Sequence, residues 1–265
     1  MHDQFDVESI IARHFAARAT AADSGAAEIQ DRKFVEAVAR GLSILEAFGQ
    51  RPGAIGNNEL HELTNLSKPT VTRLTHTLVT LGYLRRGSNT RYELTPRVMA
   101  LARPYVESAA GTLPGAALCE LAAGGPWSIA IAEPSAGALI VTASYSSHQA
   151  GTPSCPTGTK LDLVNTAAGR AWLAAFRSGT QPPASAANSA IQFPPELVAA
   201  ARTELSTKGF CFEAGNWRRG VAAIAVPILG QPGPARVAMG MTRDESTFCR
   251  RLTKELAPKL RRLFP

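Results

Sequence analysis

One stretch constrains this chain more than any other: Gly56–Leu94, reading GNNELHELTNLSKPTVTRLTHTLVTLGYLRRGSNTRYEL. It describes a short polar helix, a tight turn, a second helix and a basic hairpin. Two angled helices followed by an arginine-flanked wing make a shape suited to a DNA groove. In the first helix Leu60 and Leu63 share one face, while Asn58, Glu59, His61 and Glu62 are polar. Leu66 falls in the turn, where it can fill the gap between the helices. Ser67 stands at the cap of the second helix with a hydroxyl able to accept a backbone N–H, and Pro69 removes a donor the first turn cannot use. Val71, Leu74, Leu78 and Leu81 then recur as one apolar stripe. Gly82 ends the helix.

The opposite face carries short hydroxyls and cations, which can bond to phosphates and base edges; arginine matches the paired acceptors of guanine. The candidate DNA-contacting residues are therefore Ser67, Lys68, Thr70, Thr72, Arg73, His76 and Thr77. Tyr83-Leu84 and Tyr92–Leu94 read as strands around a Gly-Ser-Asn tip. Arg86 and Arg91 beside that tip are expected on the DNA backbone or in a minor groove. An ordinary helical hairpin needs only the apolar stripe. Cap, turn leucine, stripe and basic hairpin together point to a winged helix-turn-helix.

These segments, with FVEAVARGLSILEAFGQ (Phe34–Gln50) before them and LTPRVMALARPYV (Leu94–Val106) after, resemble the DNA-binding domain of the IclR-type bacterial transcriptional regulators. LDLVNTAAGRAWLA (Leu161–Ala174), KGFCFEAGNWRRGVAAIAVPI (Lys208–Ile228) and VAMGMTR (Val237–Arg243) are similar to that family's effector-binding domain, more loosely. The resemblance spans roughly Phe34 to Leu263.

Charge follows the same division. Residues 1–31 carry two basic and six acidic side chains, net −4; residues 32–110 are net +5 and residues 111–265 net +6. The basic second segment suits a phosphate partner, whose bound counterions are released on contact. The last segment draws part of its charge from a solvated C-terminal helix containing Arg250, Arg251, Lys254 and Lys259. Apolar content of 45% excludes wholesale disorder. Cys119, Cys155, Cys211 and Cys249 are scattered without a C-x-x-C pair, which reads as reduced thiols in a cytoplasmic protein. Neither they nor the five histidines have metal spacing. The chain lacks a long apolar run, an apolar signal core, a G-x-S-x-G elbow and a phosphate-binding loop. No metal, cofactor, membrane partner or catalytic residue is expected.

The expected organisation is an acidic arm over residues 1–33, a winged helix-turn-helix over 34–94, a connector helix over 95–110, and an effector-binding and oligomerisation domain over 111–265. In the first helix Val35, Val38, Leu42, Leu45 and Phe48 form an apolar face for the helix pair and for a neighbour. In the connector Val98, Leu101 and Val106 are expected inward, with Pro104 as a kink. Gly111–Pro114 is the expected boundary. Beyond it, helices are expected at Ala116–Ala123, Val164–Arg177, Pro195–Lys208 and Glu245–Phe264. Strands are expected at Trp127–Glu133, Ala138–Tyr145, Phe210–Glu213, Val221–Leu229 and Ala235–Met241. Gly179–Phe193 reads as a surface loop rich in Pro, Ala and Ser. Helices beside a mostly antiparallel sheet give an α+β domain, GAF-like as the resemblance implies.

The small residues of Asn165–Gly169 open a helix whose free N–H groups favour a carboxylate. The resemblance implies ligand contacts at Ala167, Ala168, Glu213, Val221, Ala223, Gly240 and Thr242. The family tends to have hydroxyls at the last two positions, of which this chain keeps Thr242. It often has a glutamate where Asn216 stands, and a histidine near Val164 or Asn165. Trp172 and Trp217 are candidates for an aromatic wall. The expected protein is a cytoplasmic, ligand-responsive regulator binding a double-stranded DNA operator and a small organic acid, aromatic in one version. The resemblance implies a homodimer or dimer of dimers. Two alternatives stand beside it: a constitutive DNA-binding protein whose C-terminal domain only oligomerises, and a metabolic enzyme with an accessory DNA-binding domain.

Overall fold

The computed structural model describes residues 34–51, 53–110, 113–135, 137–147, 149–175, 193–229 and 235–264. The acidic arm, the first two residues of the Gly111–Pro114 boundary, and Gly179–Phe193 except for Phe193 lie outside them. The chain divides into two compact units between Pro104 and Tyr105.

The first unit holds α1 (Glu36–Gln50), α2 (Asn57–Thr64), α3 (Lys68–Thr80) and a hairpin of β1 (Leu84–Arg86) and β2 (Tyr92–Leu94). Its core joins Ile44, Ala47 and Phe48 of α1 to Leu60, Leu66, Val71, Leu78, Leu84 and Tyr92. Asn65 closes α2 in the left-handed conformation, φ 56°, and so turns Leu66 inward. Gly82, at φ 78°, follows the end of α3. Leu81 is the last residue of the expected stripe, but it caps the helix and is exposed. Thr75 is buried in its place. Its hydroxyl donates back to the carbonyls of Val71 (2.8 Å) and Thr72 (3.1 Å), so burial leaves no polar group unpaired.

One apolar face expected to turn inward is open, and the α1 face is only partly covered within the chain. Val35 and Val38 are each 59% exposed, and α1 packs instead through the Ile44, Ala47 and Phe48 edge. The connector helix α4 (Arg97–Ala110) leaves Leu101 and Val106 exposed rather than inward, with Pro104 inside it. Spacing identifies the apolar side of a helix; it does not say what covers that side.

The second unit is a six-stranded antiparallel sheet in the order β5-β4-β3-β8-β7-β6. The strands are β3 (Ser128–Ser135), β4 (Ala138–Tyr145), β5 (Lys160–Leu161), β6 (Cys211–Ala214), β7 (Val221–Ile228) and β8 (Arg236–Arg243). Helices cover both faces. Helices α6 (Ala167–Ala174) and α7 (Pro195–Lys208) pack over Ala130, Ala132, Val221, Ala223, Met239 and Met241. On the other face α5 (Gly115–Ala123) and the C-terminal helix pack over Ile129, Ile131, Ile224, Val226 and Ala238. That helix comprises α8 (Ser246–Arg251), a π segment (Leu252–Leu256) and α9 (Ala257–Leu263). This is the expected α+β architecture with a GAF-like second unit. Helix α6 starts later than Val164 for a local reason. The Asp162 carboxylate accepts the N–H groups of Val164 and Asn165, holding them in a turn, and Thr166 then caps the helix.

Candidate nucleic-acid interface and ligand site

Helix α3 presents Lys68, Thr72, Arg73, His76 and Thr77 on its exposed side. Ser67 occupies the cap position, but its hydroxyl meets that of Thr70 at 2.8 Å rather than a backbone N–H. The threonines share one habit: Thr72, Thr77 and Thr80 each donate to the carbonyl four residues back, at 3.0 Å. Their hydroxyl protons are thus engaged within the helix.

The wing arginines are not equivalent. Arg86 is exposed. Arg91 points into its own unit, where it donates to the Ala54 carbonyl at 2.9 Å and pairs with Glu59 at 2.5 Å. Glu59 also accepts the Gly56 N–H at 2.8 Å and pairs with Arg51, also at 2.8 Å. The Gly56 N–H, foremost, and the Arg91 guanidinium hold its carboxyl below the usual range. Arg85 is matched across the hairpin by Glu93, at 2.7 Å. Ile55 bridges Tyr92 through bonds of 2.9 and 2.8 Å, adding a one-residue third strand. No strand pattern in the sequence marks so short an element.

In the second unit the start of α6 is already furnished with acceptors. The Thr166 hydroxyl oxygen accepts the Gly169 N–H at 3.0 Å. Glu213, 4% exposed, accepts the Ala167 N–H at 3.0 Å. Burial pushes the Glu213 carboxyl up to about 7, against the lowering pull of that N–H. The helix start therefore holds a carboxylate, one supplied by the chain itself. Arg170 secures the arrangement by donating to Glu204 (3.1 Å) and to the Phe212 carbonyl (2.6 Å).

Strand register sorts the seven candidate ligand residues. Glu213 lies opposite Ala223, Ala223 opposite Met241, and Met241 opposite Ser128, so these form one row on the α6 face. Val221, Ala167 and Ala168 belong to the same side. Gly240 and Thr242 alternate onto the other face. A Cβ on Gly240 would stand 2.4 Å from the Leu256 Cδ2, and Thr242 donates to the Pro126 carbonyl at 2.6 Å. A site that includes Glu213 and Ala223 cannot include them, because successive strand residues point to opposite faces. Met241 and Ser128 are the neighbours that motif matching missed. Trp172 is fully buried, edge-on to Phe193 at 6.3 Å. Trp217 is half-buried beneath the Arg218 guanidinium. A groove of about 350 Å³ opens on the side of the sheet opposite α6, lined by Ala117, Glu120, Leu121, Lys259, Arg262 and Leu263, none of them among the seven.

Cys155 and Cys211 are buried free thiols, which burial pushes up to about 11 and about 12. Among the described residues no group of His, Cys, Asp and Glu could hold a metal ion, and no helix is long and apolar enough to cross a membrane.

A winged helix-turn-helix joined to a helix-covered antiparallel sheet defines a DNA-binding regulator of two units. Comparison with known proteins agrees. The IclR helix-turn-helix domain model matches residues 37–88. The Pca regulon regulatory protein of Pseudomonas putida is 25% identical over 243 residues, 84% of this chain and 78% of that protein. An IclR family transcriptional regulator from Brucella abortus superposes with a TM-score of 0.67 and 26% identity, covering 89% of this chain and 92% of that one. An IclR homologue from Microbacterium hydrocarbonoxydans, complexed with 4-hydroxybenzoate, shares the fold: TM-score 0.60, 16% identity, 86% and 98% coverage. Residues 37–88 thus match the IclR-type helix-turn-helix, and the chain as a whole is similar to IclR-type bacterial transcriptional regulators.

Proposed function

We propose that this regulator reads its operator with α3 and Arg86, and that its second unit senses a small organic acid, aromatic in character. The observation that carries the sensing half is the Glu213 carboxyl seated on the Ala167 N–H. The Ala167 and Gly169 N–H groups are taken by Glu213 and Thr166, so an incoming acid would be met by the Glu213 carboxyl, which, raised to about 7, can be protonated and donate to it. Val221, Ala223 and Met241 offer an apolar floor on the same face. The complex of a same-fold protein with 4-hydroxybenzoate supports the idea that this fold houses an aromatic acid. The matched relatives are regulators, which favours a sensor over an enzyme. The exposed Val35, Val38 and Leu42 on α1 support a homodimer, since such a stripe is stable when a second copy covers it. Two copies would set recognition helices about 34 Å apart, one turn of duplex.

The test is thermal unfolding of the full chain with 4-hydroxybenzoate and, separately, 4-hydroxybenzamide. Binding to the folded state alone raises the transition. The acid should raise it, the amide should do so far less, and Ala168→Leu should abolish the effect while DNA binding survives. Equal shifts from both compounds would remove the carboxylate. An unchanged response in Ala168→Leu would move the site elsewhere.

A further inference from the structure

The N-terminus of α2 touches the recognition face of α3 through one side chain. Asn57, the first residue of α2, donates from Nδ2 to the Thr72 hydroxyl oxygen at 3.3 Å. Thr72 in turn donates its single hydroxyl proton to the Lys68 carbonyl at 3.0 Å. The amide nitrogen of Asn57 faces the hydroxyl oxygen, and its Oδ1 is buried with no hydrogen-bond partner. Thr72 is exposed on the side of α3 that carries Arg73 and His76. Its oxygen is therefore held from two directions, with the proton and one lone pair in use. What remains for a groove is the methyl group and a single acceptor lone pair.

In the major groove only thymine presents a methyl group, and its adenine partner presents an N6 donor. A G·C pair also offers a donor, the cytosine N4, but neither of its bases carries a methyl group, so the methyl contact is what separates A·T from G·C. We infer that Asn57 is a specificity-positioning residue: by engaging the Thr72 oxygen it turns the Thr72 methyl toward the groove, selecting a thymine, and so an A·T pair, at one position of each operator half-site. The donors that would select guanine on this helix are then Lys68, Arg73 and His76. The inference rests on the DNA-reading role of α3 proposed above, and adds which chemical edge one residue reads and what holds it there.

The full-length protein is incubated with a pool of duplexes carrying a randomised core, and the bound fraction is sequenced. Wild type, Thr72→Val, Thr72→Ser and Asn57→Ala are compared. Wild type and Thr72→Val, which keeps a methyl in place, should select the same A·T pair. Thr72→Ser and Asn57→Ala should lose preference at that pair while keeping the rest of the consensus. Replacing the selected thymine by deoxyuridine should then weaken wild type about fourfold, the loss of one buried carbon at ~0.8 kcal/mol. It should leave Thr72→Ser unchanged. Loss of the preference in Thr72→Val would mean that the hydroxyl reads the base and would overturn the inference. So would full wild-type affinity for the deoxyuridine duplex, or an unchanged preference in Asn57→Ala. If wild type enriches no sequence, the DNA-reading role itself fails; a consensus indifferent to Thr72 overturns only the present inference.

Discussion

Glu213→Gln should make the second unit less sensitive to alkali. The wild-type carboxyl moves from about 4.5 when unfolded to about 7 when folded, because burial disfavours its charge. The folded state then binds the extra proton between those values. The stabilisation is full below about pH 4.5 and is lost as pH rises through about 7. At 1.36 kcal/mol per unit, the loss between pH 5 and pH 8 is about 2–3 kcal/mol. Glutamine is neutral throughout, and its amide oxygen can still accept the Ala167 N–H. The variant should match wild type to within about 1 kcal/mol at pH 5. It should exceed wild type by about 2–3 kcal/mol at pH 8. Urea unfolding followed by tryptophan fluorescence is suited to this. The chain's three tryptophans, Trp127, Trp172 and Trp217, all lie in the second unit. Taking the difference between the two proteins cancels every other titrating group. Parallel stability curves from pH 5 to pH 8 would refute the reasoning, as would a gap that widens toward acid.

Arg73→Ala should weaken binding to a selected operator by about 1–3 kcal/mol, measured by titration, with little effect on random duplex; equal losses on both would make it a phosphate contact. Arg86→Ala should reduce the slope of log affinity against log salt by about 0.9. Arg91→Ala should leave that slope nearly unchanged and lower the stability of the first unit, because Arg91 is held by Glu59 and Ala54; a full change in slope would return it to the DNA. Gly169→Ala should destabilise the second unit by about 1–3 kcal/mol in urea, since its Cβ would stand 2.2 Å from the Leu163 carbonyl oxygen. Deleting residues 1–31, net −4, should leave operator affinity intact in the same titration; a failure to dimerise would give the arm a structural role.

The first unit was legible in the sequence because its signals are local. A proline in the first turn of α3 and a glycine after its end act within a few residues of themselves. Leu60, Leu66, Val71 and Leu78 follow a period that the core confirms. Five of the six strands of the second unit were also legible; the two-residue β5 was not. What the sequence could not assign was the direction of side chains within those strands. VAAIAVPI and RVAMGMTR are apolar at nearly every position because helices cover both faces of the sheet. Alternation separates such residues into two sets but cannot say which set faces α6. Only the packing of Leu256 against Gly240, and of α6 over Met241, decided it.

The same limit governs the charged residues. Composition establishes that the winged unit is basic, which is a sum over residues and survives any arrangement of them. Whether a given arginine is available to DNA depends on a carboxylate distant in sequence: Glu59 reaches Arg91 across 32 residues. Likewise small residues and the helix dipole lead to the expectation of a ligand carboxylate at the helix start by Ala167. That Glu213 fills it follows from β6 lying beside the helix, 46 residues along the chain. Local propensities act within a turn or two and are written in the order of residues. Long-range pairing arises only when the chain has closed upon itself, and here it decided which arginine is spent and which carboxylate occupies the helix start.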